Sequence, residues 1–160
     1  ATAKYPFQAD AARKAGANKV VEIDNVSDTS EAIMEMTEGK GVDEVYEAVG
    51  GNTDVIEDAV SVCRTGGSVI MTGIFDGSRP VNLQQMLFKE VDILSANSYS
   101  MTGMKRDFQI ALDLLKNRQV VHDFLTTHTF PLTSWRDAIG TAFSKGENKC
   151  LRAVMKHEGV

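Results

Sequence analysis

Two cysteines, three prolines, one tryptophan and no long apolar run are the shortages of this 160-residue chain, and most of them exclude something. Cys63 and Cys150 stand far apart and match no metal-ligand spacing, so a reduced, cytoplasmic protein is the expectation. No apolar stretch reaches the length that spans a membrane, and no signal-peptide pattern opens the chain. Positive charge is short too. The net charge is −5, and basic residues occur in ones and twos, as in Arg13-Lys14 and Lys105-Arg106, leaving no footprint for nucleic acid or an anionic membrane.

Chemical signatures are equally sparse. "GGNTDV" (50–55) has paired glycines but lacks the third that a G-x-G-x-x-G dinucleotide turn needs. There is no Walker-type loop and no G-x-S-x-G elbow. His122, His128 and His157 fall in no metal-ligand spacing, and His128, within the extended "THTF", reads as a structural hydrogen-bonding residue. Cys63 falls on the apolar face of a helix and reads as a buried, inert thiol.

What is present is alternation. Apolar residues make up 42%, enough in a chain of this length for one domain with a real core. "PFQADAARKAG" (6–16) predicts a helix with proline in its first turn and Gly16 at its end, and "KVVEI" (19–23) a short strand. "SDTSEAIMEMTEG" (27–39) predicts a helix capped by Ser27 or Asp28, with Ile33 and Met36 inward and Gly39 at its end. "VDEVYEAV" (42–49) is a strand, and "DVIEDAVSVCRTGG" (54–67) a helix closed by Gly66-Gly67. "SVIMTG" (68–73) and "VDILSAN" (91–97) are strands flanking a short helix over 82–90. "KRDFQIALDLLKNRQ" (105–119) is amphipathic through Phe108, Ala111, Leu112 and Leu115. An extended 124–132, a helix from a Thr133 or Ser134 cap, and a last strand, "LRAVMK" (151–156), complete the series. Strands alternating with helices imply β-α-β crossovers, hence an α/β fold with a mostly parallel sheet and helices on both faces.

Ligands bind such sheets beyond the carboxyl ends of the strands. Three ends are small or polar: Ala48-Val49-Gly50, Thr72-Gly73 and Ser95-Ala96-Asn97. A glycine there admits a ligand to the backbone, or else makes a tight turn. Glu47, a carboxylate inside an apolar run, reads as a helix-dipole or main-chain partner rather than a general base.

Read in order, "AARKAGANKVV", "TEGKGVDEVYEAVGG", "RTGGSVIMTG" (with Thr65 where proline is usual), "FLTTHTFPL" and "RAVMK" resemble the medium-chain zinc-dependent alcohol dehydrogenase superfamily, in its sorbitol and threonine dehydrogenase branch. The resemblance implies a partial Rossmann-type sheet that lacks the first strands. It divides the chain into a partial dinucleotide-binding domain (1–98) and a C-terminal part (99–160) that in the family packs on the catalytic domain. It implies NADP or NAD as cofactor, an alcohol or polyol as substrate, and zinc only through the missing catalytic domain.

By the same resemblance Ala48, Val49 and Gly50 lie beside the adenosine part of the cofactor. Thr72, Gly73, Ile74, Ser95, Asn97 and Ser98 line its nicotinamide end, and Arg152 approaches the pyrophosphate. Ala3, between Thr2 and Lys4, takes the place of the acid that holds the adenosine ribose; losing that carboxylate and gaining Lys4 leans the expectation towards NADP, although Gln8 stands where many relatives have arginine.

No residue receives a catalytic or metal-binding role. The chain opens on Ala1 rather than methionine, and the expectation is one part of a longer enzyme, inactive alone. With the first strand and most of the second missing, "KVVEI" is expected to have no neighbour and the next strand an open edge, which invites a homo-oligomer formed by strand exchange. The alternatives are a stand-alone nucleotide-binding or oligomerisation module without catalysis, and a zinc-free quinone-reductase-like relative.

Overall fold

The computed structural model describes residues 1–25, 28–97, 99–120 and 122–157. In chain order the elements are β1 (Thr2–Ala3), α1 (Pro6–Lys14), β2 (Val21–Glu22), α2 (Thr29–Met36), β3 (Val42–Glu47), α3 (Val55–Val62), β4 (Cys63–Met71) and α4 (Leu83–Lys89). There follow β5 (Asp92–Ser95), β6 (Met101–Thr102), β7 (Lys105–Arg106), α5 (Asp107–Lys116), β8 (His128–Pro131), α6 (Trp135–Phe143), α7 (Lys145–Asn148) and β9 (Ala153–Lys156). Two compact units result, one of residues 28–108 and one of residues 1–27 together with 109–160.

The first unit is a parallel sheet in the order β3-β4-β5, with α3 and α4 as its crossovers. Val45, Val69 and Ile93 stand side by side across the three strands and face a core of Ile56, Ala59, Val60, Cys63 and Val91. Strand periodicity turns their neighbours Tyr46 and Leu94 to the other side, where they are 67% and 52% exposed. Lys89 ties α4 to α3: its Nζ donates to the carbonyls of Val60 (3.2 Å) and Ser61 (2.7 Å), which a helix C-terminus otherwise leaves unpaired. Asp28 caps α2, accepting from the amides of Ser30 and Glu31 at 2.8 and 3.1 Å. The alternative cap, Ser27, lies outside the described residues. Ile33 is half-buried as expected, but Met36 is 37% exposed.

The helix predicted to run to Gly66-Gly67 stops at Val62. Cys63 is already extended (φ −62°, ψ 144°) and pairs with Val42, so it begins β4 rather than lying on the helix face. Residues 64–67 then bulge out before pairing resumes at Glu44 and Ser68. The glycines serve this bulge. Gly66 has φ +67°, and a Cβ on Gly67 would stand 2.9 Å from the Asp43 carbonyl.

The second unit corrects the expectation that "KVVEI" is unpaired. Thr2 and Ala3 form a parallel ladder with Val21 and Glu22, and the amino group of Ala1 donates to the Lys19 carbonyl at 2.9 Å. Two residues suffice for that ladder, too few to show any periodicity in sequence. The same unit pairs β8 with β9, again in parallel, with α6 against both. The one antiparallel pair among the described residues is the β6–β7 hairpin.

Candidate functional site

The carboxyl ends of β3 and β4 are laced together by their backbones. The carbonyl of Glu47 accepts from the amides of Thr72 (2.8 Å) and Gly73 (3.0 Å) and from the Thr72 hydroxyl (2.7 Å). Beyond it Gly51 donates to the Ile74 carbonyl at 2.7 Å, and Asp76 donates to the Gly51 carbonyl at 3.1 Å. On the other side Ala96 donates to the Met71 carbonyl at 2.9 Å, bringing the end of β5 alongside. Three strand ends that sequence singled out separately are thus one edge.

Glycine has a different task here from the one expected. A Cβ on Gly50 would stand 2.7 Å from the Ile74 amide nitrogen, and one on Gly73 would stand 2.5 Å from Glu47 Oε2 and 2.7 Å from the Gly50 nitrogen. Both positions are occupied by the neighbouring loop, not left for a ligand. Gly51, with φ +65°, has nothing within 4 Å of its missing Cβ. The open glycine is the second of the pair.

Glu47 is 4% exposed. Its Oε1 accepts from the amides of Val49 (2.6 Å) and Gly50 (2.8 Å), so it is the main-chain partner that its place in an apolar run suggested. Around this core the exposed surface is made by Ala48, Val49 (68% exposed), Thr72, Ile74 (87%), Ser95 and Asn97. Ser98 lies outside the described residues. Thr2, Ala3, Lys4 and Arg152 belong to the other unit: Ala3 is buried in the β1–β2 ladder, while Thr2, Lys4 and Arg152 are exposed. Arg152 precedes β9, and its carbonyl accepts from the amides of Thr127 and His128. His128 keeps to a structural role, its Nδ1 2.9 Å from the Thr127 hydroxyl and its ring stacked on Phe130.

An open depression of about 390 Å³, lined by Leu83, Met86, Leu87, Glu90, Val91 and Asp92, sits at the amino end of β5. It is at the wrong end of that strand for the edge just described, and its walls carry few polar groups.

Burial pushes the Cys63 thiol above its ordinary value of 9.0, against the weaker pull of Lys89 and Arg64. A folded thiol that keeps its proton to higher pH than the unfolded one contributes stability below the ordinary thiol range and loses it as pH rises through that range and beyond. Wild-type chain is therefore expected to lose denaturant resistance above about pH 8 more steeply than Cys63→Ala, as urea midpoints measured across that range will show.

The model of the zinc-binding dehydrogenase family matches residues 1–117. The chain belongs to that family. Among its curated relatives, D-arabitol-phosphate dehydrogenase of Enterococcus avium is 28% identical over 142 residues, covering 88% of this chain and 38% of the relative. Sorbitol dehydrogenase of Bacillus subtilis is 27% identical over 151 residues, covering 94% of this chain and 40% of the relative. The solved structure of 2R,3R-butanediol dehydrogenase from Bacillus subtilis superposes with a TM-score of 0.76 at 21% identity, over 96% of this chain and 42% of that one, which supports the fold. The chain spans about two fifths of the length of these relatives.

Family membership raises two groups, a nicotinamide dinucleotide and zinc, against which the residues present can be tested. The strand-end edge fits the first: Gly51 leaves open space, Val49 and Ile74 offer exposed apolar surface for a flat ring, and Thr72, Ser95 and Asn97 bring hydroxyl and amide groups. Zinc has no such fit. Among the described residues no group of three or more His, Cys, Asp or Glu is placed to hold a metal ion. Among the described residues, too, no helix is long and apolar enough to cross a membrane.

Proposed function

We propose that the chain is the cofactor-holding part of a longer dehydrogenase that passes a hydride between a nicotinamide dinucleotide and an alcohol or polyol. One observation carries the reading: Val49, Gly51, Thr72, Ile74, Ser95 and Asn97 gather at the carboxyl ends of three adjacent parallel strands. That is where open α/β sheets take nucleotides. Relatives named for sorbitol and D-arabitol phosphate suggest the polyol class.

When bound, the nicotinamide supplies or accepts the hydride. The chain's own residues position it. Thr72, Ile74, Ser95 and Asn97, with the backbone of Gly73, would line its nicotinamide end, and Ala48, Val49 and the backbone of Gly50 its adenosine end. Ile74 and Val49 cover ring faces and keep water from them. Thr2, Ala3, Lys4 and Arg152 keep the ribose and pyrophosphate roles that the resemblance implies, with Lys4 favouring NADP. The division at residues 98 and 99, a cytoplasmic location and a homo-oligomer built through the outer edges of β3 or β5 belong to the same proposal.

The test is a fluorescence titration of the purified chain with NADPH and NADH. The reading expects weak saturable binding, tighter for NADPH, with the preference lost in Lys4→Ala and no alcohol turnover by the chain alone. Turnover of any alcohol by the purified chain would overturn it. A folded chain that binds neither cofactor would mean that the glycine-rich turn this sequence lacks is indispensable.

A further inference from the structure

Glu47 is the one charged side chain among the described buried residues. No ion pair accounts for it: the four found among the described residues involve Arg13, Lys40 and Arg64 with other acids. The carboxylate is held out of water by backbone alone, with Oε1 on the amides of Val49 and Gly50 and Oε2 buried without a hydrogen-bond partner. Leaving a carboxylate oxygen unpaired out of water is unfavourable, and an apolar side chain would fill the same space without that penalty. The two backbone bonds to Oε1 are what the buried carboxylate gains against that penalty.

What the side chain holds is the turn that follows it, through the amides of Val49 and Gly50. The amides of Thr72 and Gly73 are received by the main-chain carbonyl of residue 47, which does not depend on the side chain. Gly73 fits only because its missing Cβ leaves room for Oε2. We infer that Glu47 is a positioning residue for the cofactor: its carboxylate fixes the turn at residues 49–50, and so fixes the surface made by Val49 and Gly51. This rests on the dehydrogenase reading for its ligand, though not for its geometry.

The consequences follow from the hydrogen bonds. Glu47→Gln keeps one oxygen able to accept from both amides and is expected to stay within about threefold of wild type in NADH affinity. Glu47→Ala frees the turn and is expected to lose about tenfold or more, the scale on which small misplacements in a binding site act. Added formate, which can lie where the carboxylate was, is expected to restore much of that loss, as is formamide, which offers the same single accepting oxygen as glutamine. Val60→Ala, a cavity in the same unit far from any ligand role, supplies the comparison for general destabilisation.

Each variant of the chain is titrated with NADH, and amide hydrogen exchange at Val49 and Gly50 is followed in parallel. The inference expects faster exchange at those two amides in Glu47→Ala, slowed again by formate, with unchanged rates in Val60→Ala once both are compared at equal stability. Exchange in Glu47→Ala equal to wild type overturns the latch whatever the cofactor does. Faster exchange with NADH affinity no worse than that of Val60→Ala overturns its role towards the cofactor. Wild-type chain that binds no cofactor overturns the positioning of a cofactor by this chain, and leaves the slower exchange at Val49 and Gly50 as the test of the turn itself.

Discussion

Gly50→Ala should destabilise the unit of residues 28–108 by about 2–5 kcal/mol, much more than the same change one residue on. Two causes add at Gly50. Its φ of +58° is a left-handed conformation, which costs an L-residue roughly 1–2 kcal/mol. Its new Cβ would also meet the backbone of Ile74, at 2.7 Å from the nitrogen and 2.8 Å from the carbonyl carbon. Backbone cannot rotate aside as a side chain can, so a loop has to move, and overpacking of that kind costs about 1–3 kcal/mol. Gly51→Ala carries the first cause alone, since φ is +65° but nothing lies within 4 Å. The difference between the two urea midpoints therefore isolates the loop-to-loop approach. Equal midpoints would mean that residues 50 and 74 do not meet as described.

Val69→Asp is the second large effect. Val69 is fully buried in β4, the central strand, flanked by Val45 and Ile93 on the neighbouring strands and in one cluster with Val60 and Ile56. Lys89 is spent on the α3 carbonyls and Arg64 on Asp43. An aspartate there must be buried uncompensated or take up a proton, at a penalty of several kcal/mol in either case. Domains are stable by only about 5–15 kcal/mol, so the unit is expected to be largely unfolded at room temperature. Limited proteolysis should cut within 28–108 in this variant at protease levels that leave Val69→Ile intact. Resistance equal to wild type would contradict the assignment of the core.

How legible the site was in sequence varied residue by residue, for identifiable reasons. The parallel α/β pattern was open to reading because α3, β4 and β5 each carry enough apolar residues to show a period. Glu47 was readable as a main-chain partner, since a carboxylate in a β-rich run has few other ways to be buried. That the bonds from Thr72 and Gly73 end on its main-chain carbonyl was not, because those residues lie 25 and more positions further on. Gly50 and Gly73 announced a ligand's approach or a tight turn, but not that Ile74 fills the space at Gly50 and that Glu47 and Gly50 fill the space at Gly73. Cys63 was misplaced because "AVSVC" is apolar on a helical or an extended period, and only its pairing with Val42 decides between them. The β1–β2 ladder was missed because two residues have no pattern. The unit that joins residues 1–27 with 109–160 is discontinuous in the chain, and nothing in a linear reading marks such a union.

The most direct test of the central claim is an NADH titration of the isotope-labelled chain followed through its backbone amide resonances. The account predicts saturable shifts confined, within residues 28–108, to Ala48–Gly51, Thr72–Phe75 and Ser95–Asn97. Shifts centred instead on Leu83–Asp92, or none in a chain whose spectrum shows it folded, would contradict it.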